Sequence, residues 1–178
     1  MASIIKVDQI QTAAGGTPTA ADLGITGTGK ILQVVATQGL NSDFTTGSNA
    51  DVSIPDTSIS ITPTSTSSRI FVTWYGITPH AFADAVSDIY AYAAYRGTTK
   101  LADIGAKRGF ANATSYIDQT TALSVIDHPN TTSTVSYSLY GRIHTGDNTA
   151  YLHRALLGSE PRVRMVAMEI DMSTQWTS

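Results

Sequence analysis

Short runs of alternating apolar and polar residues mark this chain, and the stretch from Ile59 to Trp74 shows them best. Its first run, Ile59 to Thr62, should end at Pro63, because proline fixes its own φ and has no N–H for a ladder. Its second run, Arg69 to Trp74, carries large side chains on both faces. That pattern indicates a strand buried on both sides or covered by a neighbouring subunit. The hydroxyl-rich residues 64–68 suit a tight connection, so the stretch resembles a hairpin with a proline-marked bend.

The same pattern continues along most of the chain from Gly29 onward, with turn signals roughly every 8–12 residues. Further strands are predicted at Lys30–Ala36, Val52–Ile54, Ile89–Arg96, Ser124–Asp127, Thr132–Tyr140 and Met165–Met172. The Ala-rich residues 79–88 are the exception, since they would also suit one helix. Many short strands separated by turns predict an all-β fold, an antiparallel β-sandwich of jelly-roll-like form.

Residues 1–28 differ in pattern from the rest of the chain. We assign them as an extended N-terminal attachment arm and linker, with residues 29–178 as the sandwich body. Ile5, Val7 and, less regularly, Ile10 line one face of the arm, and glycine-rich breaks separate the arm from the body. A segment this short cannot bury its isoleucines by itself. We therefore expect it to dock on the body, a sister chain or another protein.

Composition narrows the classes of function. The chain is 42% hydrophobic and only 14% charged, with a net charge of −3 and a pI near 5.7. No basic stripe is available for nucleic acid or an anionic membrane, so neither partner is expected. With Cys 0, disulfides, thiolate chemistry and cysteine metal ligands are excluded, and subunit association would be a natural supplement to stability. No stretch approaches the ~20 apolar residues of a membrane span, and no secretory signal opens the chain, so we expect synthesis in a cytoplasm.

Two groups of polar residues suggest metal or acid–base chemistry. His80, Asp84 and Asp88 have the i, i+4, i+8 spacing that places three ligands on one helix face, although a polar face of a loop or short helix is the simpler interpretation. His144 and Asp147 flank a glycine and fit turn chemistry better than an acid–base pair. Serine-nucleophile and phosphate-loop motifs are missing. We predict no enzyme, no catalytic or metal residues and no cofactor, while a three-dimensional carboxylate pair for sugar cleavage stays open.

Three tyrosines lie close together in the sequence. Tyr90 and Tyr92 share one strand face, and Tyr95 lies on the other. Exposed tyrosines stack on sugar rings, but they more often cover a core edge or a subunit contact.

Several segments carry a resemblance to a known family. They are Gly29–Val35, Ile59–Pro63, Ser67–Val72, Ala94–Thr98, Asp127–Thr132 and Ala167–Ile170. In this order they resemble the C-terminal body of a family of marine bacteriophage tail-fibre or virion-decoration proteins. Ser3–Thr12 is similar to the N-terminal arm that precedes this body. The resemblance implies a virion structural protein, a homotrimer, with no catalytic residues to transfer.

The resulting hypothesis is a homotrimeric tail-fibre or tail-tip component of a bacteriophage virion, made in the host cytoplasm. Its expected partners are itself, other phage virion proteins through the arm, and host cell-surface glycan. A capsid decoration or head-fibre protein is the alternative, and a carbohydrate-active depolymerase is the alternative of another class. The residues predicted for virion attachment are Ile4, Ile5, Val7 and Ile10. The residues predicted for the subunit interface are Ile70, Phe71, Val72 and Trp74.

Overall fold

The computed structural model describes residues 30–40, 42–78, 89–108, 121–145, 150–153 and 163–172. All regular structure in these ranges is β-strand. The strands are β1 Ile31–Gln38, β2 Phe44–Thr46, β3 Val52–Ser53, β4 Ile59–Ile61, β5 Arg69–Ile77, β6 Ile89–Arg96, β7 Thr99–Arg108, β8 Thr121–Asp127, β9 Val135–Thr145, β10 Ala150–His153 and β11 Arg164–Ile170. The predicted arm, residues 1–28, and residues 79–88 lie outside the described ranges.

The strands form two main antiparallel sheets and one small ribbon. The first sheet has the order β1-β11-β5-β8. The second sheet has the order β3-β9-β6-β7, and β4 also pairs with β9. The ribbon consists of β10 and β2.

The path of the chain between the two sheets is that of a jelly roll. It passes from β1 in the first sheet to β3 and β4 in the second, and returns to β5. It then crosses to β6 and β7, back to β8, over to β9, and ends in β11. The first and last strands of the body therefore pair with each other, which gives the two interlocked Greek keys of this fold. The predicted all-β antiparallel sandwich is confirmed.

The core lies between the two sheets and follows from the alternation along each strand. On β5, Ile70, Val72 and Trp74 are all 0% exposed, and on β9 Tyr137 and Leu139 face them from the second sheet, also at 0%. Burying each such side chain contributes about 1.5–3 kcal/mol. The Trp74 indole N–H still needs an acceptor in this apolar setting.

That acceptor is the backbone carbonyl of Thr57, to which Trp74 Nε1 donates at 2.8 Å. The Thr57 hydroxyl in turn donates to the carbonyl of Ile54 at 2.7 Å, so the buried polar atoms around the indole are satisfied by one another. This arrangement locks the segment between β3 and β4 against β5.

The stretch from Ile59 to Trp74 is not a hairpin. β4 pairs with β9 in the second sheet, whereas β5 belongs to the first, so the bend between them crosses the edge of the sandwich. Glu169 of β11 holds this bend, because its carboxylate accepts hydrogen bonds from Thr64 N at 2.7 Å and Thr64 Oγ1 at 2.8 Å. Gln33 Nε2 of β1 donates to the same carboxylate at 2.6 Å.

Glu169 is 0% exposed, and its ionisation depends on these donors. Burial by itself raises the pKa of Glu169, but the hydrogen bonds from Gln33 and Thr64 outweigh it and leave the pKa lowered. The charged carboxylate therefore belongs to the folded state.

Several strand predictions are confirmed within two or three residues at their ends, notably those for β1, β6 and β11. Tyr90 and Tyr92 are buried at 1% and 2% exposure, while Tyr95 faces the other way, as their alternation predicts. The turn from β6 to β7 places Gly97 at a φ of +56°, a region that glycine enters without strain. Over the described ranges, no helix has the length and apolar character required to cross a membrane.

Candidate assembly surface

The face of the first sheet that points away from the core is unusually apolar. On β5 the residues between the buried positions are Phe71, Thr73 and Tyr75, and they point outward. Phe71 and Thr73 are half-buried and Tyr75 is 39% exposed. The strand is therefore fully buried on one side only, and its other side is open to a further partner.

Strand register extends this apolar character across the whole sheet. Phe71 pairs with Met168 of β11 on one side and with Ile126 of β8 on the other, and Met168 pairs with Val34 of β1. Paired residues of antiparallel strands share a face, so these four side chains form one continuous row. Val34 and Ile126, at the two ends of the row, are each 56% exposed. We call Val34, Met168, Phe71 and Ile126 the apolar stripe.

The rows beside the stripe carry little charge. One contains Ala36, Val166, Thr73 and Ser124, and the next contains Gln38, Arg164, Tyr75 and Ala122. On the other side of the stripe, at the start of β1, Ile31 and Leu32 are 59% and 42% exposed. Among the outward positions of these four described strands there is no carboxylate. We call all the outward positions of the first sheet the outer face.

A half-buried arginine lies at one end of the outer face. Arg69 pairs with Ile170 at the start of β5, and its Nη1 atom is buried without a hydrogen-bond partner. A buried guanidinium nitrogen that lacks an acceptor costs free energy, so an acceptor from a covering chain would stabilise it.

The outer face has the dimensions of a protein contact. Four strands about 4.8 Å apart and about seven residues long at ~3.4 Å per residue cover about 19 by 24 Å, a flat area of about 450 Å². Contiguous apolar patches of about 300–600 Å² on a single chain are commonly functional. A standard protein–protein interface buries about 800 Å² per partner, so the outer face would form a large part of one.

The structure separates the four residues predicted for the subunit interface. Ile70, Val72 and Trp74 point inward and are 0% exposed, so they already make their contacts inside the chain. Phe71 alone of the four lies on the outer face. The residues predicted for virion attachment, Ile4, Ile5, Val7 and Ile10, lie outside the described ranges, and that assignment stays a prediction.

The alternating pattern of β5 does not show that Val34, Ile126 and Met168 lie in one row with Phe71. The sequence of β11, however, carries a pattern similar to that of β5. In β11 the run Met165-Val-Ala-Met-Glu-Ile has apolar residues at both odd and even positions, as β5 has. The two-sided pattern therefore marks neighbouring strands of one sheet. Which residues stand in one row depends on register, and a single sequence does not give it.

The side of the second sheet that points away from the core is charged rather than apolar. Arg142 Nη1 lies 2.5 Å from Asp51 Oδ1 and 2.9 Å from Asp103 Oδ1, and Lys100 Nζ lies 2.9 Å from Asp51 Oδ2 and 2.7 Å from Asp103 Oδ1. Tyr95 donates its hydroxyl to Asp51 at 2.7 Å. We call these five residues the charged cluster. Its two carboxylates and two cations balance each other.

The bonds within the charged cluster fix its ionisation. Hydrogen bonds from Arg142 and Lys100 lower the pKa of Asp103 to about 2. Burial raises the pKa of Asp51, but hydrogen bonds from Lys100, Tyr95 and Arg142 outweigh it, and the pKa is lowered. Both carboxylates are thus held as anions at neutral pH. A general acid needs a pKa near the working pH, so the cluster is suited to stabilising a sheet rather than to proton transfer.

Tyr95 also stacks on Tyr140, with ring centroids 3.9 Å apart and planes inclined by 26°. Stacking on a neighbouring ring and bonding to Asp51 give Tyr95 a structural role. The predicted contact with a host glycan stays a prediction.

The residues considered for metal binding do not come together in the part of the chain that can be described. His80, Asp84, Asp88 and Asp147 lie outside it, as does the side chain of His144. His128 lies in an exposed loop, with its Nε2 atom 2.8 Å from the carbonyl oxygen of Thr66. Within the described ranges, no three His, Asp or Glu side chains are grouped so as to hold an ion.

One histidine is buried although no pattern in the sequence marks it. His153 of β10 is 0% exposed, and its Nδ1 accepts a hydrogen bond from Thr78 N at 3.3 Å. Its Nε2 has no hydrogen-bond partner. Burial lowers the pKa of His153, and the nearby Asp43 acts in the opposite direction with smaller effect. The imidazole is therefore neutral in the fold, because a protonated Nδ1 could not accept from Thr78.

Comparison with known proteins yields partial structural likeness. No protein-family model and no curated protein sequence matches this chain. Among solved structures, the chain is similar to the crystal structure of the infectious bursal disease virus VP2 subviral particle, with 12% sequence identity and a TM-score of 0.36. The match covers 78% of this chain and 39% of that one. A likeness at this level does not identify a family.

Proposed function

We propose that this chain is a structural protein of a bacteriophage virion that assembles as a homotrimer through the outer face of the first sheet. The apolar stripe is the observation that carries the proposal, because Val34 and Ile126 leave 56% of their surface in water. Moving such side chains into a contact stabilises an assembly by about 25 cal/mol per Å² of apolar surface.

The proposed role is non-enzymatic. The polar side chains that the second sheet groups together are bonded to one another, so they serve to stabilise that sheet. The resemblance to tail-fibre and virion-decoration proteins supports a place on the particle, and the cysteine-free composition fits stabilisation by association.

Attachment is proposed to run through the arm. Ile4, Ile5, Val7 and Ile10 would bury themselves in a neighbour or the particle by hydrophobic contact and strand addition. The trimer would present its loops three times, so weak contacts with a host glycan would act together. The specific form proposed is a tail-fibre or tail-tip component.

The decisive experiment images the particle with the chain labelled. Density at the tail that disappears when the coding region is deleted supports the proposal, and variants in the exposed loops should then change host adsorption while particles still assemble. Density on the head, with adsorption intact after deletion, would assign the chain as a capsid decoration or head-fibre protein instead. Absence from the particle would contradict the proposal.

Two solution measurements complete the test. The mass of the purified chain at micromolar concentration should be three times 18.8 kDa, and a mass of 18.8 kDa would contradict the trimer. Incubation with host envelope polysaccharide and divalent metals should release no sugar, and release would favour a depolymerase.

A further inference from the structure

We infer that the free edge of β1 receives the segment Ser3–Gln11 of a second copy of this chain as an added strand. The inference rests on the proposed assembly and names the site on which the arm docks. Its basis is the exposed edge of β1, the alternation in the arm, and the continuity of that edge with the outer face.

β1 is an edge strand of the first sheet. In the described structure it pairs with β11 on one side and with no strand on the other. Its eight residues, ILQVVATQ, contain no charge and no proline, two of the features by which natural sheets prevent strand addition. The register with β11 is irregular between Ile31 and Gln33, so the regular part of the edge runs from Gln33 to Gln38. Both edge strands of the first sheet pack against the second sheet, β1 against β4 and β8 against β7. β8 ends in Asp127, whose carboxylate accepts hydrogen bonds from Arg96 and Tyr137, whereas β1 carries no charge, so β1 is the edge better suited to a further strand.

The arm has a short apolar pair that could extend the outer face. In an extended segment Ile5 and Val7 share one face, and Ile4, Lys6, Asp8 and Ile10 share the other. With Ile5 and Val7 outward, the added strand continues the outer face beside Val34. A shift by one residue would place the charged pair Lys6 and Asp8 there instead, so we assign the register that keeps this pair off the outer face.

The occupant belongs to a second copy because the stripe and the edge adjoin. From Val34 to Ile126 the stripe spans three strand spacings, about 14 Å, which one added strand cannot cover. A second body on the stripe would bring its own arm to β1, so one partner accounts for both surfaces. The length of chain permits this exchange. About 18 residues separate the segment from Lys30 and extend to about 60 Å.

Cross-linking between differently marked copies tests the inference, and the absence of native cysteine makes it clean. One full-length copy carries Val7→Cys and a second carries Ala36→Cys, and the two are produced together and treated with a short bis-maleimide. We expect a product of twice the 18.8 kDa chain mass. A copy with Thr132→Cys, an exposed loop position, replaces Ala36→Cys as the matched control and should give no such product with the arm.

Two further variants test the alternation. Adding Ile5→Asp to the Val7→Cys copy should lower the yield of the mixed product at least tenfold, while adding Lys6→Ser should leave it unchanged. Circular dichroism of each variant checks that the sheet content is unaltered. Equal yields from both variants would overturn the assigned register.

The other possible results of the cross-linking experiment lead to different conclusions. A double variant, Val7→Cys with Ala36→Cys in one chain, that links only within itself would show that the arm covers its own edge, and would overturn exchange between copies. Absence of both products would overturn β1 as the docking site. In either case a trimeric mass and density on the particle would leave the proposed function standing.

Discussion

The two sides of this sandwich that point away from the core differ in polarity. On the second sheet, Arg142 and Lys100 bridge Asp51 and Asp103, and Ala93 on the same face is 0% exposed. On the first sheet, Val34 and Ile126 stand more than half exposed, and no acidic side chain lies at an outward position of its described strands. The polar groups of one face are satisfied within a single chain, whereas the other face leaves large apolar side chains in water.

The largest effect is expected from a charge on the inner side of β5. Val72 is 0% exposed, so Val72→Asp would bury an unpaired carboxylate in the core at a cost of at least several kcal/mol. Domains of this size are stable by only about 5–15 kcal/mol, so we expect loss of the folded state. Circular dichroism and chemical denaturation would measure it. A variant that unfolds at the wild-type denaturant concentration would contradict the assignment of this side as core.

The next effect separates assembly from folding. The double variant Val34→Asp with Ile126→Asp puts two charges at the ends of the apolar stripe, where water reaches both side chains. We expect the free energy of unfolding of the monomer to change by less than about 1 kcal/mol, because exposed substitutions cost little. The assembly should dissociate to 18.8 kDa in light scattering.

The matched control places the same two charges away from the stripe, as Thr132→Asp with Ser133→Asp in the exposed loop before β9. That variant should keep the wild-type mass. If both double variants remain assembled, the outer face is not the contact between copies.

The difference between Val72 and Phe71 also shows how much of the structure can be predicted from the sequence alone. Alternation identified β5 and its two apolar sides, because side-chain direction in a strand depends only on position. It did not identify Val34, Met168 or Ile126 as partners of Phe71, since these residues are distant in sequence and meet only through register. The bend after Pro63 was likewise predicted, but its crossing to the other sheet depends on Glu169, more than a hundred residues away.

A smaller effect is expected on the charged face. Arg142→Met removes the cation that bonds both Asp51 and Asp103, and leaves Lys100 as their remaining cation. Because Arg142 and Asp51 are largely buried, we expect a loss of about 1–3 kcal/mol in the free energy of unfolding. The mass of the assembly should not change. Lys30→Met, at an exposed lysine, is the control and should stay within about 0.5 kcal/mol. A change of mass in Arg142→Met alone would place the assembly contact on the second sheet.

The smallest effect is a two-step dependence of stability on pH. The folded state holds the pKa of His153 below its unfolded value of about 6.5, so the unfolded chain binds the extra proton first. Stability therefore falls as the pH drops below about 6.5, by at most about 1.4 kcal/mol per pH unit for one proton. His153→Gln should abolish this first step, and His128→Gln should preserve it.

The second step belongs to the carboxylates. The pKa values of Glu169 and Asp51 are lowered, and that of Asp103 is about 2, so their contribution is fully present above about pH 4.5 and is lost as the pH falls further. Urea denaturation between pH 7 and pH 3 would resolve both steps. An unfolding free energy that is constant from pH 7 to pH 5 would contradict the first step, which is assigned to His153.

The pairing of β1 with β11 has a consequence for biogenesis. β11 lies between β1 and β5, so the first sheet has a gap in its middle until the last strand of the body has left the ribosome. Gln33 and Thr64 likewise lack the carboxylate of Glu169 until then. Native pairing over such sequence distances closes slowly, and unpaired strand edges in the meantime favour aggregation. Folding of the body is thus confined to the time after β11 is made, and until then β1 exposes both of its edges to other newly made copies.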